Sequence, residues 1–277
     1  MKITLLLSLL IYFTFVNNNL FGQNTTLVFS GQIMSPTLKL VQKNIDKPTN
    51  FGYMAQRYKT SLGAGVGFYI GTQVKMDSSN IYWSFGLNQN YGNNTLIADQ
   101  ILNGNERSEI WQSNTLNFLP GIGFRKYGKL PISIQIGPVI PLFNNTIYRL
   151  LLNDGTNNFE ASHRVKFYTS MGFYTQANFN LKLNKRSHLI FGAQFLALNR
   201  SIKSKKIIKT DLKSGQPNYA KNKYGEEINY IKSLNSTVND ESLNAQGVDY
   251  NKARVTLSQK YGFSNLAFQI GFNYLLN

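Results

Sequence analysis

The sequence predicts an all-β fold: an eight-stranded antiparallel up-and-down β-barrel that spans a membrane and carries long external loops. Three observations predict it. The first is the end of the chain, Phe263 to Asn277, which alternates with period two. Leu266, Phe268, Ile270, Phe272, Tyr274 and Leu276 fall on one face, and Ala267, Gln269, Gly271, Asn273 and Leu275 on the other. The second is the chemistry of that other face, which is small and amide-rich with no Lys, Arg, Asp or Glu. Such a face suits a packed polar interior better than bulk water, with bilayer on the opposite side. The third is a strict rhythm of long and short connections between the strands.

The elements follow in order. Lys2, the apolar run Ile3 to Val16, and the small residue Gly22 form the charged, apolar and small-residue regions of a signal peptide over residues 1–22. The apolar run is too short to cross ~30 Å of hydrocarbon as a helix. Residues 23–277 then make one barrel domain. Its first strand, 25–41, sets Leu27, Phe29 and Ile33 against Val28, Ser30 and Gln32, and Pro36 interrupts it. Residues 60–75 place Leu62, Val66, Phe68 and Ile70 opposite Gly63, Gly65, Gly67, Tyr69, Gly71 and Gln73. After the turn Asp77-Ser-Ser-Asn80, residues 80–91 set Ile81, Trp83, Phe85 and Leu87 against Tyr82, Ser84, Gly86 and Asn88.

Strands at 114–125 and 131–143 form the next hairpin, and Pro120, Pro138 and Pro141 predict bulges or strand ends within it. A long strand, 164–182, opposes Val165, Phe167, Met171, Phe173, Ala177, Phe179 and Leu181 to Tyr168, Ser170, Gly172, Tyr174, Gln176, Asn178 and Asn180. Leu189, Phe191, Ala193, Phe195 and Ala197 return over 188–199. The last strand lies within 252–276, with a bulge predicted near Tyr261-Gly262 where the alternation slips phase. Connections 43–58, 92–112, 144–162 and 200–251 are long, and 76–79, 126–130 and 183–187 are short. Transmembrane barrels have long external loops and short turns on the other side.

The leader, the Gly-rich second strand, the loop rhythm and the ending FQIGFNYLLN resemble the small porin-like or PorT-like barrels of Gram-negative outer membranes. The resemblance implies an outer-membrane location, export through a cleaved signal peptide, and roles that vary among members. The chain ends on Asn277, where such barrels commonly carry an aromatic; Phe272 and Tyr274 lie close by.

Composition narrows the chemistry. No cysteine is present, which excludes disulfides, thiolate metal sites and a lipidated N-terminal cysteine. The net charge is +16, and removing the leader takes one lysine and no acid, leaving +15. Gly63-Ala-Gly-Val-Gly67 lacks the spacing and GK[ST] ending of a phosphate loop. Its glycines are expected to make room for large inner neighbours such as Tyr69 and Tyr168. The two histidines, His163 and His188, fall at opposite ends of a hairpin and cannot share a metal, so no cofactor or metal site is expected. Ser162, His163, Asp154 and Glu160 bring nucleophile, base and carboxylate types together, but a triad is defined by geometry that a loop sequence does not supply.

The 200–251 loop is strongly basic. Arg200, Lys203, Lys205, Lys206, Lys209 and Lys213 form a candidate anion-contacting run, followed by Lys221, Lys223 and Lys232. Coulomb attraction points it toward lipopolysaccharide phosphates or acidic glycans. Tyr219, Tyr224 and Tyr230 lack the pattern of a nucleic-acid stacking platform. An eight-stranded barrel has an interior that side chains just fill, so a wide diffusion pore is not expected. The leading function is a structural or interaction barrel, an accessory of a secretion or surface assembly contacting other outer-membrane proteins. The alternatives are a surface enzyme with a rim site near His163, and a soluble secreted barrel that binds a small apolar ligand. The last would turn the apolar faces inward.

Overall fold

A computed structural model describes residues 25–37, 40–42, 53–59, 61–76, 79–102, 105–126, 128, 131–153, 158–212, 227–231, 239 and 253–276. The predicted signal peptide, residues 1–22, therefore lies outside the described residues. The strands are β1 (Thr25–Pro36), β2 (Leu40–Gln42), β3 (Tyr53–Lys59), β4 (Gly65–Lys75), β5 (Ile81–Gly92) and β6 (Thr95–Leu102). Next come β7 (Asn105–Lys126), β8 (Ile132–Asn153), β9 (Asn158–Phe167), β10 (Gly172–Lys182) and β11 (Ser187–Ala197). The last are β12 (Asn199–Leu212), β13 (Glu227–Ile231), β14 (Arg254–Leu257), β15 (Lys260–Gly262) and β16 (Asn265–Leu276).

Eight of them close a ring in the order β1, β4, β5, β7, β8, β10, β11, β16 and back to β1, every pair antiparallel. Closure leaves no unpaired edge, the condition for a sheet in hydrocarbon. The predicted alternation sets the faces. Phe268 is 62% exposed and Gln269 beside it 5%. Phe29, Phe68, Trp83, Phe124, Ile134, Phe173 and Phe191 also point out, all large and apolar. An outward apolar belt around a polar interior makes this a transmembrane barrel of the outer-membrane type. A soluble barrel with an inward apolar face is ruled out by the same orientation.

The prolines fall where the ladder fails. Between β7 and β8 the pairing skips from Phe118↔Ile140 to Ile122↔Ile136, so Pro120 and Pro138 owe no hydrogen bond there. Pro141 sits at a second irregularity, where the register shifts between Leu116 and Asn117. Short turns close one end: the Asn184 Oδ1 accepts from the backbone N–H of Arg186 and Ser187, both at 2.8 Å. The pair Thr25↔Leu276 lies at this same, periplasmic end.

At ~3.3 Å per residue, the 22-residue strands β7 and β8 run about 70 Å, far beyond a bilayer. Their outer halves carry a sheet outside the membrane. On one side β6, β3 and β2 add to β7; on the other β9, β12 and β13 add to β8, with β14 parallel to β13. The long connections predicted as polar loops thus contain strands. The predicted strand 164–182 divides into β9, which is outside the barrel, and β10, which is in it. The predicted bulge near Tyr261-Gly262 is instead a break after β15, which pairs with β12. The first strand stops at Pro36 rather than reaching 41.

Candidate functional site

Inside the ring, amide side chains tie seven of the eight barrel strands together, and the Arg125 guanidinium joins β7 to them. Gln32 Nε2 donates to Gln194 Oε1 at 3.3 Å and to Gln269 Oε1 at 3.1 Å. Asn88 Nδ2 donates to the same Gln194 oxygen at 2.8 Å. Gln194 and Gln135 both donate to Gln176 Oε1, at 3.2 and 2.9 Å. Gln73 donates to Gln135 at 3.3 Å and accepts from the Arg125 guanidinium. Each buried amide left without a partner would cost about 1–3 kcal/mol, so the network fixes the lumen as a solid layer.

Aromatic rings fill what remains. Tyr69 is fully buried over Gly86, where any Cβ would overlap its ring. Tyr82 lies over Gly123 in the same way. Tyr174 donates to the Leu119 carbonyl at 3.3 Å. These are the fillers the sequence suggested, with one correction. Tyr168 is not inside the barrel: it is 40% exposed outside the membrane, where its hydroxyl donates to the Tyr230 carbonyl at 3.1 Å. The strand containing it breaks at 168–171, and the alternation on its two sides belongs to different environments.

The outer halves of β7 and β8, with β9 and β12, curl around the outer part of a buried cluster that continues from the lumen. Trp111 and Tyr148 are direct cross-strand partners with ring centres 5.2 Å apart, and Tyr148 meets His163 at 5.3 Å. Tyr261 stacks on Trp111 at 4.6 Å. Lys205 enters this cluster. Its Nζ is 4.0 Å from the Tyr148 ring centre, 4.8 Å from Trp111 and 5.8 Å from Tyr230. Burial pushes its ammonium down to about 8, a shift that nearby Glu109 partly opposes. Burial, followed by the charge of Lys205, pushes His163 down to about 4. Arg200 packs over Phe167 and Phe263 at 5.2 and 5.9 Å. Cations and aromatics together pack the outer part of this cluster.

The candidate basic run therefore divides between two faces. Arg200 and Lys205 are buried; Lys203, Lys206 and Lys209 are exposed; Lys213 lies outside the described residues. Two register shifts on β12, after Ile202 and after Ile207, separate neighbours that strict period two would place together. On the exposed face, Lys206 stands directly opposite Arg164 of β9, and Lys166 is opposite Ser204. Arg164 and Lys166 are exposed too, so β9 doubles the cationic surface of β12. Sequence reasoning missed both, although their spacing on one face of β9 was visible. Glu227 lies opposite Lys206 on its other side.

The nucleophile–base cluster does not assemble. Ser162 and His163 are consecutive in β9, so their side chains leave opposite faces of the sheet. His163 turns into the aromatic core, and Asp154 lies outside the described residues. His188 is at the periplasmic end, as expected, in register with Lys182. Tyr230 belongs to the Lys205 cage, while Tyr219 and Tyr224 lie outside the described residues.

Among solved structures, the chain is similar to the outer membrane protein OprG from Pseudomonas aeruginosa, at 11% identity and a TM-score of 0.41 over 92% of this chain and 96% of that one. It is also similar to the outer membrane protein AlkL in DMPC lipid bilayers, at 9% identity and a TM-score of 0.38 over 92% and 90% of the two chains. No family model and no curated protein matches it.

Proposed function

We propose that this outer-membrane barrel is a closed scaffold that presents a basic β-sheet at the cell surface for contact with anions. The observation that carries the reading is the exposed pairing of Lys206 with Arg164, flanked by Lys166, Lys203 and Lys209. Like charges directly opposite one another on a sheet are destabilising. A surface that keeps this pair, with Glu227 as the one acid facing Lys206 among the described cross-strand partners, gains when anionic groups neutralise it. Lys166 and Lys203 lie near the barrel end of β9 and β12, where they would be in reach of lipopolysaccharide phosphates. The amide network and buried tyrosines favour this over transport, since they leave the work to the outside sheet. An accessory place in a secretion or surface assembly fits the same reading, with the sheet as the docking element for partner membrane proteins.

The test is lipopolysaccharide binding across a salt series, comparing the folded wild type with a variant carrying Arg164→Gln, Lys203→Gln, Lys206→Gln and Lys209→Gln. The wild type should bind with a steep salt dependence that the variant loses. Equal binding by the two proteins would overturn the proposal.

A further inference from the structure

A recess of about 240 Å³ opens at the periplasmic mouth, below the amide network and at the opposite end from the basic sheet. Three strands each bring a nitrogenous side chain to it: Lys75 from β4, Arg125 from β7 and His188 from β11. Gln73, Asn80 and Tyr82 also line it, and among the described residues its lining has no Asp or Glu. Lys182 of β10 is the direct cross-strand partner of His188, so a fourth basic side chain stands at the rim.

Arg125 is held in place. One terminal nitrogen donates to Gln73, its guanidinium lies 5.4 Å from the Tyr82 ring centre, and its backbone N–H donates to the Asn80 carbonyl at 2.8 Å. Its Nε is buried with no acceptor among the described residues. A fixed guanidinium beside an imidazole and an ammonium suits a planar or tetrahedral oxyanion. At ~30 Å³ of liquid volume per water, the recess takes about eight waters, which is the size of a headgroup rather than of a polymer.

We infer that the periplasmic mouth is a receptor for a phosphate-type oxyanion, with Arg125 as its principal donor and His188 as a second. The oxyanion comes either from a free periplasmic phosphate or from a phospholipid headgroup at the inner edge of the membrane. The inference is independent of the surface sheet and stands or falls separately from it.

The experiment uses the full folded chain in phosphate-free detergent solution. Inorganic phosphate and short-chain phosphatidylglycerol are titrated separately by calorimetry into the wild type, Arg125→Gln and Arg125→Lys. At least one probe should bind saturably, and Arg125→Gln should bind it about tenfold more weakly. Arg125→Lys should recover part of the loss. Saturation by phosphate identifies a free anion as sufficient; saturation by the lipid alone identifies the headgroup. In parallel, the bound probe should protect Arg125 of the wild type from phenylglyoxal, read by mass spectrometry, so that a variant that fails to fold does not decide the matter. Absence of saturable binding by both probes, or an unprotected Arg125, would overturn the inference.

Discussion

Tyr69 and Gly86 offer the sharpest test of how the barrel interior is packed. The three heavy atoms nearest a Cβ at Gly86 all belong to the Tyr69 side chain. Gly86→Ala alone should therefore cost roughly 1–3 kcal/mol, the usual penalty for overpacking. Tyr69→Ala deletes a fully buried ring and should cost roughly 3–5 kcal/mol. In that background the Gly86 methyl is freed of its three closest contacts, and adding it should be neutral or stabilising by about 0.5–1 kcal/mol. The cycle then yields a coupling of about 1–4 kcal/mol between the two sites. Reversible urea unfolding in lipid vesicles, followed by tryptophan fluorescence, measures all four proteins. If Gly86→Ala costs the same in both backgrounds, the ring does not occupy that space and the packing described here is wrong.

Three further outcomes follow from the same structure. Gln194→Leu removes two acceptor contacts and one donor contact in the lumen; unfolding should show a loss of about 2 kcal/mol or more. Folding lowers Lys205 from 10.5 to about 8, so between those values the unfolded chain binds the extra proton. Stability of the outside sheet should then rise from pH 8 to 10.5 and be flattened by Lys205→Met, with Trp111 fluorescence in a Trp83→Phe background as the readout. His163 is lowered from 6.5 to about 4, so its neutral form stabilises the fold fully above pH 6.5. Roughly 3 kcal/mol should be lost as pH falls from 6.5 to 4, at about 1.4 kcal/mol per pH unit, and His163→Leu should remove that acid-sensitive step in pH-dependent denaturation.

The barrel was legible because lipid and lumen impose opposite demands on adjacent residues. In β16 the demand is continuous, and the pattern from Asn265 to Tyr274 reads directly as faces. The glycines were misassigned: Gly86 and Gly123 make room for the rings, whereas Gly63, Gly65 and Gly67, expected to do so, lie against the backbone carbonyls of Phe263, Tyr91 and Gln89. The outside sheet was not legible for the converse reason. There the environment inverts: Val165 and Phe167 turn into an aromatic core while Arg164 and Lys166 meet water, so the phase of 164–167 contradicts that of 172–182. Lys205 was unreadable as a core residue because lysine type signals exposure and only a register shift turns it inward. Trp111 and Tyr148 were the available signal, two large aromatics within segments otherwise polar enough to pass for loops.

The direction in which the two faces of β16 point underlies every functional statement above. Because the chain contains no cysteine, single-cysteine substitutions from Leu266 through Asn273 can each carry a spin label without interference. In bilayers, collision with dissolved oxygen should peak at Leu266, Phe268, Ile270 and Phe272, and fall at Ala267, Gln269, Gly271 and Asn273. The same alternation with its maxima at Gln269 and Asn273 would show the barrel to be turned inside out.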